Sequence, residues 1–236
     1  MTIDAAILDT YPPLDEAALD RLLRVEIEKD PTKLVVLDDD PTGVQTVHDV
    51  SVYTNWAVES IRKGFREANK VFYILTNSRG MTAAQTAEIH REIVANVVRV
   101  AREESKPFLF MSRSDSTLRG HYPLEPRLLK EGIEAAAGRN VDGEILCPFF
   151  KEGGRFTVNN IHYVKYGGSL VPAAETEFAR DKTFGYTKSS IPEYIEEKTG
   201  GRFAAGDVVC IPLEMTRALD FDGIENKLMG LNGFQK

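Results

Sequence analysis

The stretch KLVVLDDDPTGVQTVHD, residues 33–49, decides the fold prediction. Its apolar run, residues 34–37, is short and bounded by turn residues, which is typical of a buried strand in a parallel sheet. Three carboxylates follow directly, those of Asp38, Asp39 and Asp40. Adjacent acids repel one another, so a fold keeps them near cations, a metal or hydrogen-bond donors. Because ligands of open α/β sheets bind at the carboxyl ends of the strands, the stretch predicts one wall of a binding site.

The rest of the chain alternates apolar runs with helical patterns. Strands are predicted at residues 34–37, 50–54, 71–75, 107–111, 144–147, 161–164 and 207–211. Helices are predicted at residues 14–29, from Asn55 as a cap through Phe65, at 82–104, 122–137 and 190–198, and from 216 onward. This alternation predicts a three-layer α/β fold, Rossmann-like, with a mostly parallel sheet and helices on both faces. After Pro148, two glycine pairs predict a loop-rich segment that contains one strand, residues 161–164.

Composition excludes several classes of protein. The chain has 236 residues, 42% hydrophobic and 28% charged, as in ordinary globular proteins. The net charge of −7 argues against a nucleic-acid or membrane surface. Two cysteines and four histidines lack the spacing of a disulfide framework or a metal site, so no metal site is predicted. Because no signal segment or membrane span is evident, we predict a cytoplasmic protein.

Two later strands also end in polar clusters. The second offers Thr76, Asn77, Ser78 and Arg79, and the third offers Arg113, Asp115, Ser116, Thr117 and Arg119. Guanidinium groups bind carboxylates or phosphates, hydroxyls suit a polyol, and an aspartate can accept a hydroxyl proton. Taken singly, each residue has a structural interpretation as a turn, a cap or an ion pair. Taken together they favour a site for a small, hydroxylated, acidic metabolite. No glycine-rich phosphate cradle is present, so no nucleotide site is evident.

Several motifs together resemble a known family. DDDPTG, LTNSRG, RSDSTLRG, IHYV and ETEFARD are similar to the N-terminal, sugar-binding domain of the four-carbon acid sugar kinase family. These enzymes phosphorylate tetronates such as threonate, erythronate or their 3-oxo forms with ATP. The resemblance extends from residue 33 to about residue 211, and DSTLRG and ETEFARD are its specific signals.

The resemblance implies a set of site residues. The expected catalytic residues are Asp39 and Asp40, and the expected substrate-binding residues are Asn77, Ser78, Arg79, Arg113, Asp115, Ser116, Thr117, Arg119, Arg155 and His162. Of these, Arg79, Arg113 and Arg119 are expected to hold the substrate carboxylate. The chain departs from the family in having Asp38 in place of a small residue, Asn77 in place of arginine and Arg113 in place of lysine. Asp38 is also expected to be dispensable.

The resemblance also implies a domain organisation. Residues 1–32 are expected to form an N-terminal extension and helix, and residues 33–236 the acid-sugar-binding domain. Family members continue into a nucleotide-binding domain that uses ATP and Mg²⁺, and this chain stops near that boundary. We therefore expect it to bind the sugar acid without transferring phosphate by itself. The expected partners are a small acidic sugar, a separate nucleotide-binding domain and a second copy in a homo-oligomer, with no nucleic acid or membrane.

Two alternatives stay open. Asp38 and Asp40 followed by Thr42 also fit the DxDxT motif of haloacid dehalogenase-like phosphatases, with Asp38 as nucleophile and Asp40 as acid/base. That scheme gives no place to DSTLRG or ETEFARD, and no second acid follows Asp207 at the usual spacing. The other alternative is a stand-alone module that binds a sugar acid without any catalysis.

Overall fold

The computed structural model describes residues 1–138 and 140–236. The strands are β1 Ile3–Asp4, β2 Lys33–Asp38, β3 Val52–Tyr53, β4 Val71–Leu75, β5 Phe108–Arg113, β6 Arg155–Val158, β7 Ile161–Tyr166 and β8 Ser169–Pro172. The α-helices are α1 Glu16–Lys29, α2 Val58–Arg66, α3 Ala83–Glu103, α4 Leu124–Ala137, α5 Ile191–Lys198, α6 Leu213–Arg217 and α7 Phe221–Met229. No helix among the described residues is both long and apolar enough to cross a membrane.

The chain divides into two compact units, each with its own sheet. The parallel unit comprises Asp15–Asp115 and Gly120–Asn140. The antiparallel unit comprises Met1–Leu14, Ser116–Arg119 and Val141–Lys236. The predicted division into residues 1–32 and 33–236 stays a prediction about domains.

The sheet of the parallel unit has the order β3-β4-β2-β5, and every neighbouring pair is parallel. Asp38 at the end of β2 lies opposite Leu75 of β4 and Arg113 of β5. The carboxyl ends of these three strands are therefore level, as the sequence predicted. This sheet is flanked by helices, and the predicted three-layer, Rossmann-like α/β class is confirmed.

The core of the parallel unit follows from strand alternation. Side chains two apart along a strand point to the same face, so Val35 and Leu37 of β2 and Phe72 and Ile74 of β4 form one apolar surface. Helices α2, α3 and α4 cover it with apolar side chains that include Ile61, Phe65, Ile93, Val97 and Leu129. Helix α1 differs, because no residue in it is buried and Leu22, Leu23 and Ile27 are exposed.

The antiparallel unit contains a sheet where the sequence predicted a loop-rich segment. Its strand order is β1-β8-β7-β6, with all pairs antiparallel. Only β7 was predicted. Strands β6 and β7 are joined at Asn159 and Asn160, both with positive φ, and β7 turns into β8 at Gly167, also with positive φ. Two-residue hairpin turns of this kind match the twist of the flanking strands. The two glycine pairs therefore lie at the ends of strands in a small sheet.

Four predicted elements differ from the structure. The helix predicted from residue 216 onward is two helices, α6 and α7. Residues 144–147 form no strand, and only Gly143 makes an isolated bridge there. Residues 207–211 form no strand either, but follow the 3₁₀ helix Ala205–Asp207. Helix α2 begins at Val58 with Ala57 as its N-cap, whereas Asn55 was predicted as the cap. Both apolar runs instead make single backbone hydrogen bonds to the last two residues, from Glu144 N–H to Gln235 O at 2.9 Å and from Val209 N–H to Lys236 O at 2.8 Å. These contacts are too few to form a strand ladder.

Candidate functional site

Asp39 is buried in an ion pair with Arg79. Arg79 donates from Nε and Nη2 to the two carboxylate oxygens of Asp39, at 3.0 and 2.6 Å. The Ser114 hydroxyl donates to one of the same oxygens at 2.9 Å. Burial raises the pKa of the Asp39 carboxyl, and the hydrogen bonds from Arg79 oppose that rise. Asp39 is therefore the fixed counter-ion of Arg79, and both of its oxygens are already engaged.

Asp40 is the most accessible of the three aspartates. Its side chain is 27% exposed, against 3% for Asp39 and 1% for Asp38. Its Oδ1 accepts from the backbone N–H of Thr42 at 2.9 Å and so caps the 3₁₀ helix Pro41–Val44. Hydrogen bonds from Thr42 hold the pKa of Asp40 below its usual value. Its Oδ2 lies 3.3 Å from Arg79 Nη1. Asp40 is thus both a helix cap and a carboxylate that a ligand can reach.

Asp38 is fully buried and only partly satisfied. Its Oδ1 lies 3.4 Å from Arg113 Nη1, whereas its Oδ2 has no hydrogen-bond partner among the described residues. Burial raises the pKa of Asp38 to about 6, against the attraction of Arg113. A Cβ at Gly43 would lie 2.0 Å from both carboxylate oxygens, so the position requires glycine. Because a nucleophile must be accessible to its substrate, the burial of Asp38 weighs against the phosphatase alternative.

The end of β4 is held by a buried glutamate that the sequence did not single out. Glu125 of α4 accepts from the Ser78 hydroxyl at 2.7 Å and from the Ser112 hydroxyl at 3.1 Å. His90 Nε2 lies 3.6 Å from the same carboxylate. The hydroxyl of Ser78 is therefore used inside the protein, and its carbonyl accepts from Met81 N–H at 3.0 Å. An acid in the first turn of a helix is ordinary, so nothing in the sequence marked Glu125.

In the antiparallel unit, three buried side chains bind successive carbonyl groups of residues 116–118. The contacts are His162 Nε2 with Ser116 O at 2.6 Å, Tyr186 OH with Thr117 O at 2.8 Å, and Tyr194 OH with Leu118 O at 3.1 Å. Since a carbonyl only accepts, His162 Nε2 carries the proton, and His162 Nδ1 accepts from Thr157 Oγ1 at 3.0 Å. His162 therefore fixes the backbone of the DSTLRG segment.

We expect Tyr194→Phe to destabilise the protein by about 1–2 kcal/mol, because the buried carbonyl of Leu118 loses its partner. The phenyl ring keeps the edge-to-face contact with Tyr186, whose centroid lies 5.5 Å away. The free energy of unfolding in urea measures the loss. Tyr163→Phe is the matched control, since its ring is buried in the same unit and should change stability by less than about 0.5 kcal/mol. Equal losses in the two variants would refute the role of the Leu118 bond.

The predicted site residues fall into two groups. The parallel unit holds Asp39, Asp40, Asn77, Ser78, Arg79, Arg113 and Asp115. The antiparallel unit holds Ser116, Thr117, Arg119, Arg155 and His162. Within the first group the structure brings together the aspartates and two arginines as ion pairs. Within the second it places Arg119 and Arg155 against one phenyl ring, that of Phe178.

Among residues 1–138 and 140–236, no group of three or more histidine, cysteine, aspartate or glutamate side chains could hold a metal ion. The sequence has no GxxxxGK[ST] or GxGxxG loop that would cradle a nucleotide phosphate.

Residues 34–225 match the family model of the sugar-binding N-terminal domain. The chain belongs to this family. The prediction that it is a sugar-binding N-terminal domain is confirmed by this match. No curated protein matches the chain.

Both solved structures belong to the DUF1537 family. The one from Bordetella bronchiseptica, a domain-swapped dimer with bound citrate, has a TM-score of 0.51 and 24% identity over 70% of this chain and 39% of its own. The one from Haemophilus influenzae has a TM-score of 0.55 and 13% identity over 84% of this chain and 46% of its own. The likeness concerns the fold. This sugar-binding domain spans less than half the length of either protein.

Proposed function

We propose that this sugar-binding domain binds a four-carbon sugar acid, such as threonate, erythronate or a 3-oxo-tetronate, for phosphorylation by a complete kinase. The observation that carries the proposal is the cluster of aspartates and arginines at the level carboxyl ends of β2, β4 and β5. Ligands of open α/β sheets bind at such ends. Because the chain is a member of a sugar-binding family, a hydroxylated ligand is the natural occupant.

The geometry supports different roles for the two aspartates predicted to be catalytic. Asp40 is accessible, so we assign it to a ligand hydroxyl, from which a carboxylate accepts a hydrogen bond and, during phosphoryl transfer, a proton. Asp39 is buried against Arg79, so we assign it to positioning that arginine. That the hydroxyls of Ser116 and Thr117 contact a polyol stays a prediction.

We further propose that phosphoryl transfer needs a second, nucleotide-binding domain. ATP and Mg²⁺ would be held in that second domain. The sugar-binding domain would then supply the acceptor hydroxyl in the orientation required for in-line attack. A homo-oligomer is also proposed, since the similar Bordetella protein is a domain-swapped dimer. Light scattering of the purified chain would measure its mass in solution.

Calorimetric titration with threonate and erythronate tests the proposed ligand, with uncharged erythritol as the control. We expect one of the acids to bind and to stabilise the protein by about 2.7 kcal/mol at one hundred times its Kd. Asp40→Asn should weaken binding roughly tenfold, because the charged acceptor for a hydroxyl is lost. If neither acid binds, the proposed ligand is wrong. If the chain alone phosphorylates a tetronate with Mg-ATP, the requirement for a second domain is wrong.

A further inference from the structure

A buried polar cluster joins helices α3 and α4 of the parallel unit to the ends of β4 and β5. Its centre is the Glu125 carboxylate of α4, which accepts from the hydroxyls of Ser78 and Ser112 at 2.7 and 3.1 Å. His90 of α3 brings its Nε2 to 3.6 Å from the same carboxylate. Both side chains are buried, and an ionised carboxylate is costly to bury unless an opposite charge balances it. The charge balance of the cluster therefore depends on the protonation of His90 and Glu125.

The hydrogen bonds of His90 determine where its protons lie. Its Nδ1 is 2.8 Å from the carbonyl oxygen of Thr86, and because a carbonyl only accepts, Nδ1 carries a proton. If the ring were neutral, Nε2 would present a lone pair to the Glu125 carboxylate, and two acceptors would face each other in a buried place. Both oxygens of Glu125 accept from serine hydroxyls, as an ionised carboxylate does. The arrangement therefore favours a protonated His90 ring paired with an ionised Glu125.

The same cluster fixes the 3₁₀ turn Ser78–Gly80, which follows β4. Glu125 holds the hydroxyl of the first residue of this turn. Asn77, directly before the turn, has a positive φ of 54°, a conformation that the surrounding structure has to support. Arg79, within the turn, donates to both oxygens of the Asp39 carboxylate. The position of the Arg79 guanidinium therefore depends on contacts that Arg79 itself does not make.

We propose that Glu125 and a protonated His90 form a positioning pair, which holds the turn Ser78–Gly80 and so orients Arg79 toward the aspartates. Both side chains are buried, so they act on a ligand only through the turn. Every residue of this arrangement belongs to the parallel unit. The protonation of the pair is independent of any ligand, whereas its effect on sugar-acid affinity rests on the proposed function.

The nitrogen-15 NMR spectrum of the histidine rings tests the protonation of His90, with His90→Gln used to assign its signals. We expect both ring nitrogens of His90 to show the shifts of a protonated ring at pH 7. His162 is the internal reference, because its Nδ1 accepts from Thr157 while its Nε2 donates, so that its ring is neutral. In Glu125→Gln the balancing charge is lost, and His90 should become neutral. A neutral His90 ring in the unchanged protein would overturn the proposal.

Titration of threonate and erythronate into Glu125→Gln tests the positioning role. We expect roughly threefold to tenfold weaker binding, the effect of one lost hydrogen bond. The Nε–H signal of Arg79 should also shift, because its bond to Asp39 is disturbed. Glu131→Gln is the matched control, since it removes the same charge from an exposed position of α4 and should leave affinity within twofold.

A purely structural role of Glu125 would give a different result. Glu125→Gln would then unfold at lower urea concentration, but the folded variant would keep its affinity within twofold and its Arg79 signal unmoved, which would overturn the positioning role. Ser78→Ala removes only the hydroxyl between Glu125 and the turn, so it should reproduce the loss of affinity and leave His90 protonated. Failure of the unchanged protein to bind any sugar acid would instead refute the proposed function, and the NMR spectrum would still decide the His90–Glu125 pair.

Discussion

Asp39→Ala is expected to destabilise the protein by about 3–5 kcal/mol, the usual cost of removing one partner from a buried ion pair. Arg79 is 22% exposed and would keep its charge in a site from which its bidentate acceptor has been removed. The Ser114 hydroxyl would lose its acceptor as well. Asp40 compensates only in part, because it contacts Arg79 at 3.3 Å from a more exposed position. Guanidinium-induced unfolding at pH 7 measures the difference.

The control for this prediction is Asp40→Ala, which removes a neighbouring carboxylate of the same charge. It should cost about 1 kcal/mol, the usual effect of losing a helix cap. A double variant that lacks both Asp39 and Arg79 should lose less stability than the sum of the two single losses, since no unpaired charge is left. Strict additivity of the single losses would show that the pair contributes nothing to folding.

The parallel sheet could be predicted because its signal is local. The runs at residues 34–37, 71–75 and 107–111 are apolar and bounded by turn residues, and they correspond to β2, β4 and β5. The helical pattern at residues 82–104 likewise became α3, with Thr82 as a cap whose side chain accepts from Gln85 N–H. In such segments the spacing of the apolar residues and the residues at both ends predict the same element. Tertiary contacts are therefore less important in determining it.

The antiparallel sheet could not be predicted as well, because its strands depend on one another. Strands β6 and β8 are four residues each, and β7 lies between them. The asparagine pair at 159 and 160 was an overlooked signal, since asparagine tolerates the positive φ of a tight hairpin turn. Conversely, the apolar run at 144–147 has Ile145 73% exposed and Cys147 exposed. An apolar run alone therefore does not predict a strand.

For the candidate site, residue types were predictable but pairings were not. The sequence places Asp39 and Arg79 at adjacent strand ends, and it cannot show whether the arginine faces a ligand or an aspartate. The structure shows the second arrangement. Contacts to backbone carbonyls, such as that of Tyr194 with Leu118, cannot be recognised from a sequence motif, because a carbonyl is present at every position. These contacts nevertheless decide where the motif residues lie.

Asp38, which was expected to be dispensable, should make the protein less stable as the pH rises from about 4 to about 6. Its ordinary pKa of 3.8 applies to the unfolded chain, and burial raises the pKa to about 6 in the folded state. Between these values the folded protein keeps a proton that the unfolded chain has released, so each increase in pH favours unfolding. Below 3.8 both states hold the proton, and above about 6 neither does. A difference of about two pKa units corresponds to roughly 3 kcal/mol, and this cost is complete at pH 7.

Comparison of Asp38→Asn with the unchanged protein between pH 3.5 and pH 8 isolates this group, since all other titrating residues are shared. We expect the relative stability of the variant to rise by about 2–3 kcal/mol across the window. Asp40→Asn should show the opposite sign, because hydrogen bonds from Thr42 lower the pKa of Asp40 and its ionised form stabilises the fold. A stability difference for Asp38→Asn that is independent of pH would mean that the buried carboxyl ionises as easily in the folded protein as in the unfolded chain. Arg113 would then be compensating its burial in full, and the partnerless Oδ2 would carry no cost.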